Sequence, residues 1–205
     1  MVATLKVNRI ETVNDTGTIT IPAGVKLVGE DAGSVYSPGS VIQCVHSTLT
    51  STISYATGIG EDNVTSTGLT CTITPKSTSS IMVIQFNAFM GVSSYHVKLL
   101  LGRTIGGGAN TYIGRGDAEG SRPRSTASMI MYDDNATTQQ YLLNPISNTI
   151  KDTPSTISQI IYTLYFGGYN GITAYINRSH IWQNSPVNGY DAVPSTNMIV
   201  WEIAQ

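Results

Sequence analysis

The sequence predicts an all-β protein, an antiparallel β-sandwich of the jelly-roll kind, and three observations carry that expectation. Short runs of alternating apolar and polar residues, bounded by turn residues, recur along the whole chain and amount to about ten strands. No stretch combines a sustained helical period with capping residues. Charged residues make up only 12% of the 205 positions, about half the roughly 25% of ordinary soluble domains. Ser, Thr, Asn and Gly fill the difference, as suits turn-rich β structure.

The pattern divides the chain at residue 40. Residues 1–40 alternate in Leu5-Lys6-Val7-Asn8 and in Thr18-Ile19-Thr20-Ile21, then turn through Pro22-Ala23-Gly24. Strands this short cannot close a core of their own, so the segment is expected to lie on the main domain or to intertwine with other copies of itself. Residues 41–205 read as the sandwich domain.

Within it, Val41-Ile42-Gln43-Cys44-Val45-His46 and Leu69-Thr70-Cys71-Thr72-Ile73-Thr74 read as strands, the second stopped by Pro75. A long buried strand is expected over residues 81–90, with Met82, Ile84, Phe86, Ala88 and Met90 on one face and Gln85 and Asn87 on the other. Residues 95–101 follow, with Val97, Leu99 and Leu101 aligned, and the two strands are expected to form a hairpin through Gly91-Val92-Ser93-Ser94. Residues 102–124, rich in glycine, read as a long surface loop. Strands then return over 127–132, as a short apolar edge over 141–145, and over 157–166 and 172–177, before a second extended loop over 179–194. The last strand carries Ile199, Trp201 and Ile203 on one face and Met198, Val200 and Glu202 on the other. With both faces largely apolar, it is expected to be an inner strand covered on both sides, packed by residues 162–166 and 172–177.

Composition excludes several functions. A net charge of −2 supplies no field for phosphates, so nucleic acid is not an expected partner. No apolar run approaches the roughly 20 residues of a membrane span, and the N-terminus shows no charged region followed by an apolar core. Cys44 and Cys71 lie in different strands and are expected to be two small buried thiols, with a disulfide between them the alternative; metal coordination would need more ligands than the chain groups together. No cofactor is expected. His46, His96 and His180 each stand alone in or beside a strand, where packing is the default.

Candidate chemistry concentrates in the two loops. Arg115-Gly116-Asp117 matches the adhesion tripeptide, but three residues in a glycine-rich loop match often by chance, and a solvated charged loop is the expected reading. Asp117, Glu119, Asp133, Asp134 and Asp191 offer carboxylates, but no spacing selects a glycosidase pair, so no catalytic residue is assigned and no enzyme is expected. Four Asn-X-Ser/Thr tripeptides, at Asn14, Asn63, Asn135 and Asn177, follow from the Ser/Thr content. Trp182 and Tyr190, flanked by amides and Asp191, have the make-up of a glycan site, in which rings stack on sugar faces; Trp182 capping the sandwich end is the competing account. By loop position, Arg115, Asp117, Glu119, Arg122, Arg124, Trp182, Tyr190 and Asp191 are the candidate receptor-binding residues.

Three segments, in order, resemble tail-fibre and related virion structural proteins of tailed phages, especially those of cyanobacteria. The first joins Thr4-Leu5-Lys6-Val7-Asn8-Arg9-Ile10, Gly17-Thr18-Ile19-Thr20-Ile21-Pro22-Ala23-Gly24 and Leu27-Val28-Gly29-Glu30-Asp31-Ala32-Gly33-Ser34. The second is Pro38-Gly39-Ser40-Val41-Ile42-Gln43 with Ile73-Thr74-Pro75-Lys76, and the third is Ala174-Tyr175-Ile176-Asn177-Arg178-Ser179 with residues 195–205. The resemblance implies a homotrimer in the virion tail, made in the host cytoplasm. Its N-terminal segment would mount on other virion proteins through Leu5, Val7, Ile10, Ile19 and Ile21, and its β-rich domain would face a host cell-surface glycan. A head-decoration or tail-adaptor protein without receptor contact is the alternative, and a capsule-degrading tailspike the third. The family brings no catalytic residues. It also gives the two-sided last strand a purpose, one face filling the sandwich and the other meeting partner subunits.

Overall fold

A computed structural model of the chain describes residues 23–24, 36–58, 60, 62–93, 95–131, 141–168, 171–181 and 192–205. The chain falls into two compact units, Met1–Tyr36 and Ser37–Gln205, and all described strands belong to the second. The strands expected before residue 40, with Leu5, Val7, Ile10, Ile19 and Ile21, lie outside the described residues.

Eleven strands are described: β1 Val41–Leu49, β2 Ile53–Ala56, β3 Thr65–Ile73, β4 Ile81–Val92, β5 Tyr95–Ile105, β6 Thr111–Ile113, β7 Ala127–Met131, β8 Asn144–Asp152, β9 Ile160–Gly168, β10 Thr173–Ile176 and β11 Thr196–Ile203. They form two antiparallel sheets packed face to face, so the chain is an all-β sandwich. The first sheet runs β1-β11-β4-β10-β2 with β8 also on β4; the second runs β3-β9-β5-β6 with β7 also on β5.

Several of these strands are halves of one. Met90 pairs with Asn144 of β8 and with Ile176 of β10, which therefore flank opposite edges of β4. So β10 continues the edge that β11 occupies along residues 81–87, and β2 continues β1 in the same way. On β5, β7 and β6 share the edge opposite β9. Joining these halves leaves four strands per sheet, eight in all, the strand number of a jelly roll.

The break between β10 and β11 is built around Asn177. Its φ of +59° lies in the left-handed region, which Asn tolerates better than most residues. The side chain, fully buried, donates from Nδ2 to the carbonyls of Leu49 at 2.9 Å and Ser51 at 3.0 Å, across the β1–β2 break. It accepts from Thr196 Oγ1 at 2.7 Å, and its backbone N–H donates to Phe89 O at 2.8 Å. One side chain thus satisfies backbone groups that the interruption of two strands would orphan.

The core lies between the sheets. Met82, Ile84, Phe86, Ala88 and Met90 of β4 and Met198 and Val200 of β11 meet Val97, Leu99 and Leu101 of β5 and Tyr162, Leu164 and Phe166 of β9. The expected alternation of β4 therefore holds, with Gln85 exposed and Asn87 half-buried on the other face.

Three expectations are corrected. Residues 81–101 do not form a hairpin: β4 and β5 sit in different sheets, joined by a crossover whose Ser93 exchanges hydrogen bonds with Thr173. Each strand carries a full apolar row, and facing rows bury more than adjacent ones. Residues 102–124 are not all loop, because β5 runs on to Ile105 and turns through Gly106 and Gly107, both with positive φ, into β6. The apolar edge expected over 141–145 is the approach to a nine-residue strand, β8. Residues 162–166 pack on the last strand as expected, but from across the core: they belong to β9 of the other sheet, whose Tyr162, Leu164 and Phe166 share the core with Met198 and Val200.

Both seams between the sheets are laced by side chains. At one, Gln43 Nε2 donates to Thr74 O at 2.7 Å and also to Glu202. Glu202, fully buried, further accepts from Lys76 N at 2.7 Å and Ser80 Oγ at 2.6 Å, tying β11 to the β3–β4 turn with uncharged donors. At the other seam, Asn148 Nδ2 donates to Thr126 O at 2.7 Å. There too Arg103 Nη1 donates to Asp152 Oδ1 at 2.6 Å, and Tyr162 OH to Asp152 Oδ2 at 2.7 Å.

Candidate functional site

The outer faces of the two sheets differ. Over the second sheet the chain folds back on itself. Lys98 Nζ donates to Gly60 O at 2.8 Å, and a Cβ on Gly167 would collide with Asn63 O and Val64. A Cβ on Gly102 would meet Asn110 and the Tyr165 ring. The β2–β3 connection and the β5–β6 turn can lie this close because those strand positions are glycine. Leu100, outward on β5, is accordingly fully buried.

Among the described residues, the outer face of the first sheet is covered only at one end. There residues 178–179 cross β4 at Gly91, where a Cβ would run into the Arg178 carbonyl. The Arg178 guanidinium stacks over the Tyr175 ring at 4.7 Å, and Tyr175 OH hydrogen-bonds His180 Nδ1 at 2.8 Å. Burial, and secondarily the Arg178 charge, hold the His180 imidazole below its ordinary value. Packing is thus what His180 does, while His46 and His96 are exposed.

Beside this cover opens a groove of about 440 Å³, lined by Phe89, Tyr141, Leu142, Leu143, Ser179, Ala192 and Pro194. Its size falls in the range of small-ligand sites, roughly 300–1,000 Å³. Its walls are mostly apolar, with Tyr141 and Leu142 exposed. From the groove the face continues along Asn87, Asn197, Gln85 and Ile199 to Val83, Trp201, Ile81 and Ile203, which are neighbours in the β4–β11 register.

The last strand therefore differs from the expectation of cover on both faces. Met198, Val200 and Glu202 are fully buried, whereas Ile199, Trp201 and Ile203 are only half-buried on the outside. Cys44, opposite Trp201, is exposed rather than buried, because its β1 position points outward. Cys71, on the inner face of β3, is buried, and that burial pushes its thiol up to about 11. Both thiols are free.

The candidate receptor residues do not converge. Arg115 lies against the second sheet, its guanidinium 5.7 Å from the Tyr112 ring and 3.9 Å from Asp62 Oδ1. Tyr112 in turn packs edge-on against Tyr165, and burial raises its phenol. The arginine of the Arg-Gly-Asp triplet is thus folded onto the sandwich. Asp117, Glu119 and Arg122 are exposed and Arg124 is half-buried. The loop holding them is fixed at its neck by buried Thr126, whose Oγ1 accepts from Leu101 N at 2.9 Å and donates to Ile113 O at 3.0 Å. Arg115 thus lies against the second sheet, whereas the groove opens on the outer face of the first. Trp182, Tyr190 and Asp191 lie outside the described residues. Sequence reading passed over Phe89 as a groove residue, although it stands out of phase with the buried row of β4, on the face of Gln85 and Asn87. Among the described residues, no group of three or more His, Cys, Asp or Glu is placed to hold a metal, and no helix is long and apolar enough to cross a membrane.

No protein-family model matches the chain, and no curated protein matches it. Among solved structures it is similar to one of infectious bursal disease virus Gx strain, at 16% identity over 87% of this chain and 42% of that one, with a TM-score of 0.32. It is also similar to the infectious bursal disease virus VP2 subviral particle, at 14% identity over 88% and 43%, with a TM-score of 0.29. The chain spans less than half the length of either, and likeness this loose carries no argument about what the chain does.

Proposed function

We propose that the chain is a virion structural protein, a tail-fibre or tail-tip subunit of a tailed phage that adheres to a host cell-surface glycan. The observation that carries the reading is the ordered set of segments at both ends of the chain that resembles such proteins, the last of which forms β10 and β11. The fold fits this use: a sandwich with both seams laced is a rigid carrier for loops. The groove beside Tyr141, Ser179 and Pro194 is where a sugar ring would find an apolar wall. The segment of residues 1–40, with its alternating Leu5, Val7, Ile10, Ile19 and Ile21, is assigned to mounting on other virion proteins. In a homotrimer, three weak glycan sites would act together.

A purely structural role, as head decoration or tail adaptor, is favoured by one observation, the folding of Arg115 onto Tyr112, which withdraws one loop cation from a receptor. Neither reading makes the protein an enzyme. Purified protein is expected to bind host cells or their lipopolysaccharide without shortening the polysaccharide. Failure of the intact assembly to bind would overturn the receptor role and leave the structural one, which labelling in virion images then places on head or tail.

A further inference from the structure

We propose that the outward face of the β1–β11–β4–β8 sheet is the surface on which copies of this chain pack against one another. This names the surface for the self-assembly in the reading above and does not depend on the host contact. The two faces of the sandwich set the contrast. One is covered by the chain's own connections, down to a fully buried outward Leu100. The other leaves Ile81, Val83, Ile199, Trp201 and Ile203 half-buried and Val41 56% exposed.

Charge decides the occupant. Of the residues pointing outward on these four strands, only Lys151, on the edge strand β8, carries a full charge. A face whose single fixed charge sits on its edge strand repels a copy of itself little and offers a phosphate or an acidic partner no cluster of cations. Its polar groups, Gln85, Asn87 and Asn197, are amides, each both donor and acceptor, so an identical surface can satisfy them. Four strands about 4.8 Å apart, over about nine residues of roughly 3.3 Å, give a projected face of roughly 600 Å². That is the order of the about 800 Å² per partner of a standard interface. Trp201 stands near its centre, on an inner strand, where a large ring contributes most to association.

The test uses the full chain and its own thiol as reporter, since Cys44 lies on this face opposite Trp201 while Cys71 is buried. Light scattering of the purified protein is expected to give a multiple of 21.9 kDa. Trp201→Lys and Ile199→Lys, outward substitutions, are expected to reduce the mass to one chain with the far-UV spectrum unchanged. Cys44 labelling is expected to slow as protein concentration rises. A wild-type chain that stays monomeric from micromolar to millimolar concentration overturns the proposal, as does a folded variant that keeps its multimer. If a variant fails to fold, the wild-type thiol decides: an assembled protein whose Cys44 reacts at a concentration-independent rate overturns the proposal. Assembled protein that ignores host cells would sink the receptor reading and leave this one standing.

Discussion

At the scale of single residues, Asn177 holds a strained conformation because its surroundings over-determine it. Its left-handed backbone and four hydrogen bonds join the β1–β2 break to the β10–β11 break. Asn177→Ala removes three of those bonds, leaves two carbonyls short of a donor and keeps the strain, which adds to about 3 kcal/mol or more. Asn177→Gly relieves the backbone but not the orphaned carbonyls, so chemical denaturation should rank wild type above the Gly variant and Gly above Ala. Cys71 offers a second test. Burial, and then the neighbouring Cys44, raise its thiol to about 11, so little thiolate forms at neutral pH. With Cys44 replaced by Ser, the native protein should resist a thiol reagent and react only once denatured; prompt labelling at neutral pH would contradict the inward placement of the β3 side chain.

At the scale of elements, strands are joined by buried polar ties as much as by their ladders. Asp152, at the end of β8, accepts from Arg103 on β5 and Tyr162 on β9, linking the two sheets. Its charge and its hydrogen bond, after burial, raise the Tyr162 phenol. Asp152→Ala strands a guanidinium whose Nε already lacks an acceptor, at a cost of about 3–5 kcal/mol. Adding Arg103→Met should restore much of that loss, and a double-mutant cycle in denaturant measures it. The segment over β10 gives a pH signature. Burial and Arg178 depress the His180 value below 6.5, so the folded chain takes up the proton less readily than the unfolded one. The stability this contributes is whole above 6.5 and lost as pH falls through the folded value. Melting temperature should decline below that pH, and less so in His180→Gln. Elements with a clean period were legible in the sequence: the β4 row from Met82 to Met90 reads off directly. Strand β8 was not, because its polar Asn148 and Asp152 point inward, which hides the alternation. Nor does a sequence period say whether consecutive strands lie beside or across from each other, which is why β4 and β5 were expected as a hairpin. The apolar wall of the groove was visible only as separate short pieces, Leu142-Leu143 and Ala192 with Pro194, that the topology brings together.

At the scale of the whole molecule, the chain's two-sided last strand closes the sandwich. β11 separates β1 from β4 in the first sheet, so neither reaches the other without it. It supplies Met198 and Val200 to the core and Glu202 to the β3–β4 turn. Its ladder to β1 spans nearly the whole unit, a long-range closure that favours slow folding. The start of the unit depends on it too, since Gly39 N donates to Ala204 O at 2.8 Å and Ala204 N to Ser40 O at 2.9 Å. By contrast every described core residue lies within Ser37–Gln205. Two truncations therefore separate the contributions. A chain of residues 37–205 should melt cooperatively, because it keeps all eleven described strands. A chain ending at Val193 should stay unfolded, because losing β11 removes two ladders, leaves the facing edges of β1 and β4 unpaired and takes Met198 and Val200 out of the core. Far-UV circular dichroism and thermal scans of both read the result. A cooperative transition in the chain ending at Val193 would mean that β1 can pair with β4 directly, and the closing role of β11 would be wrong.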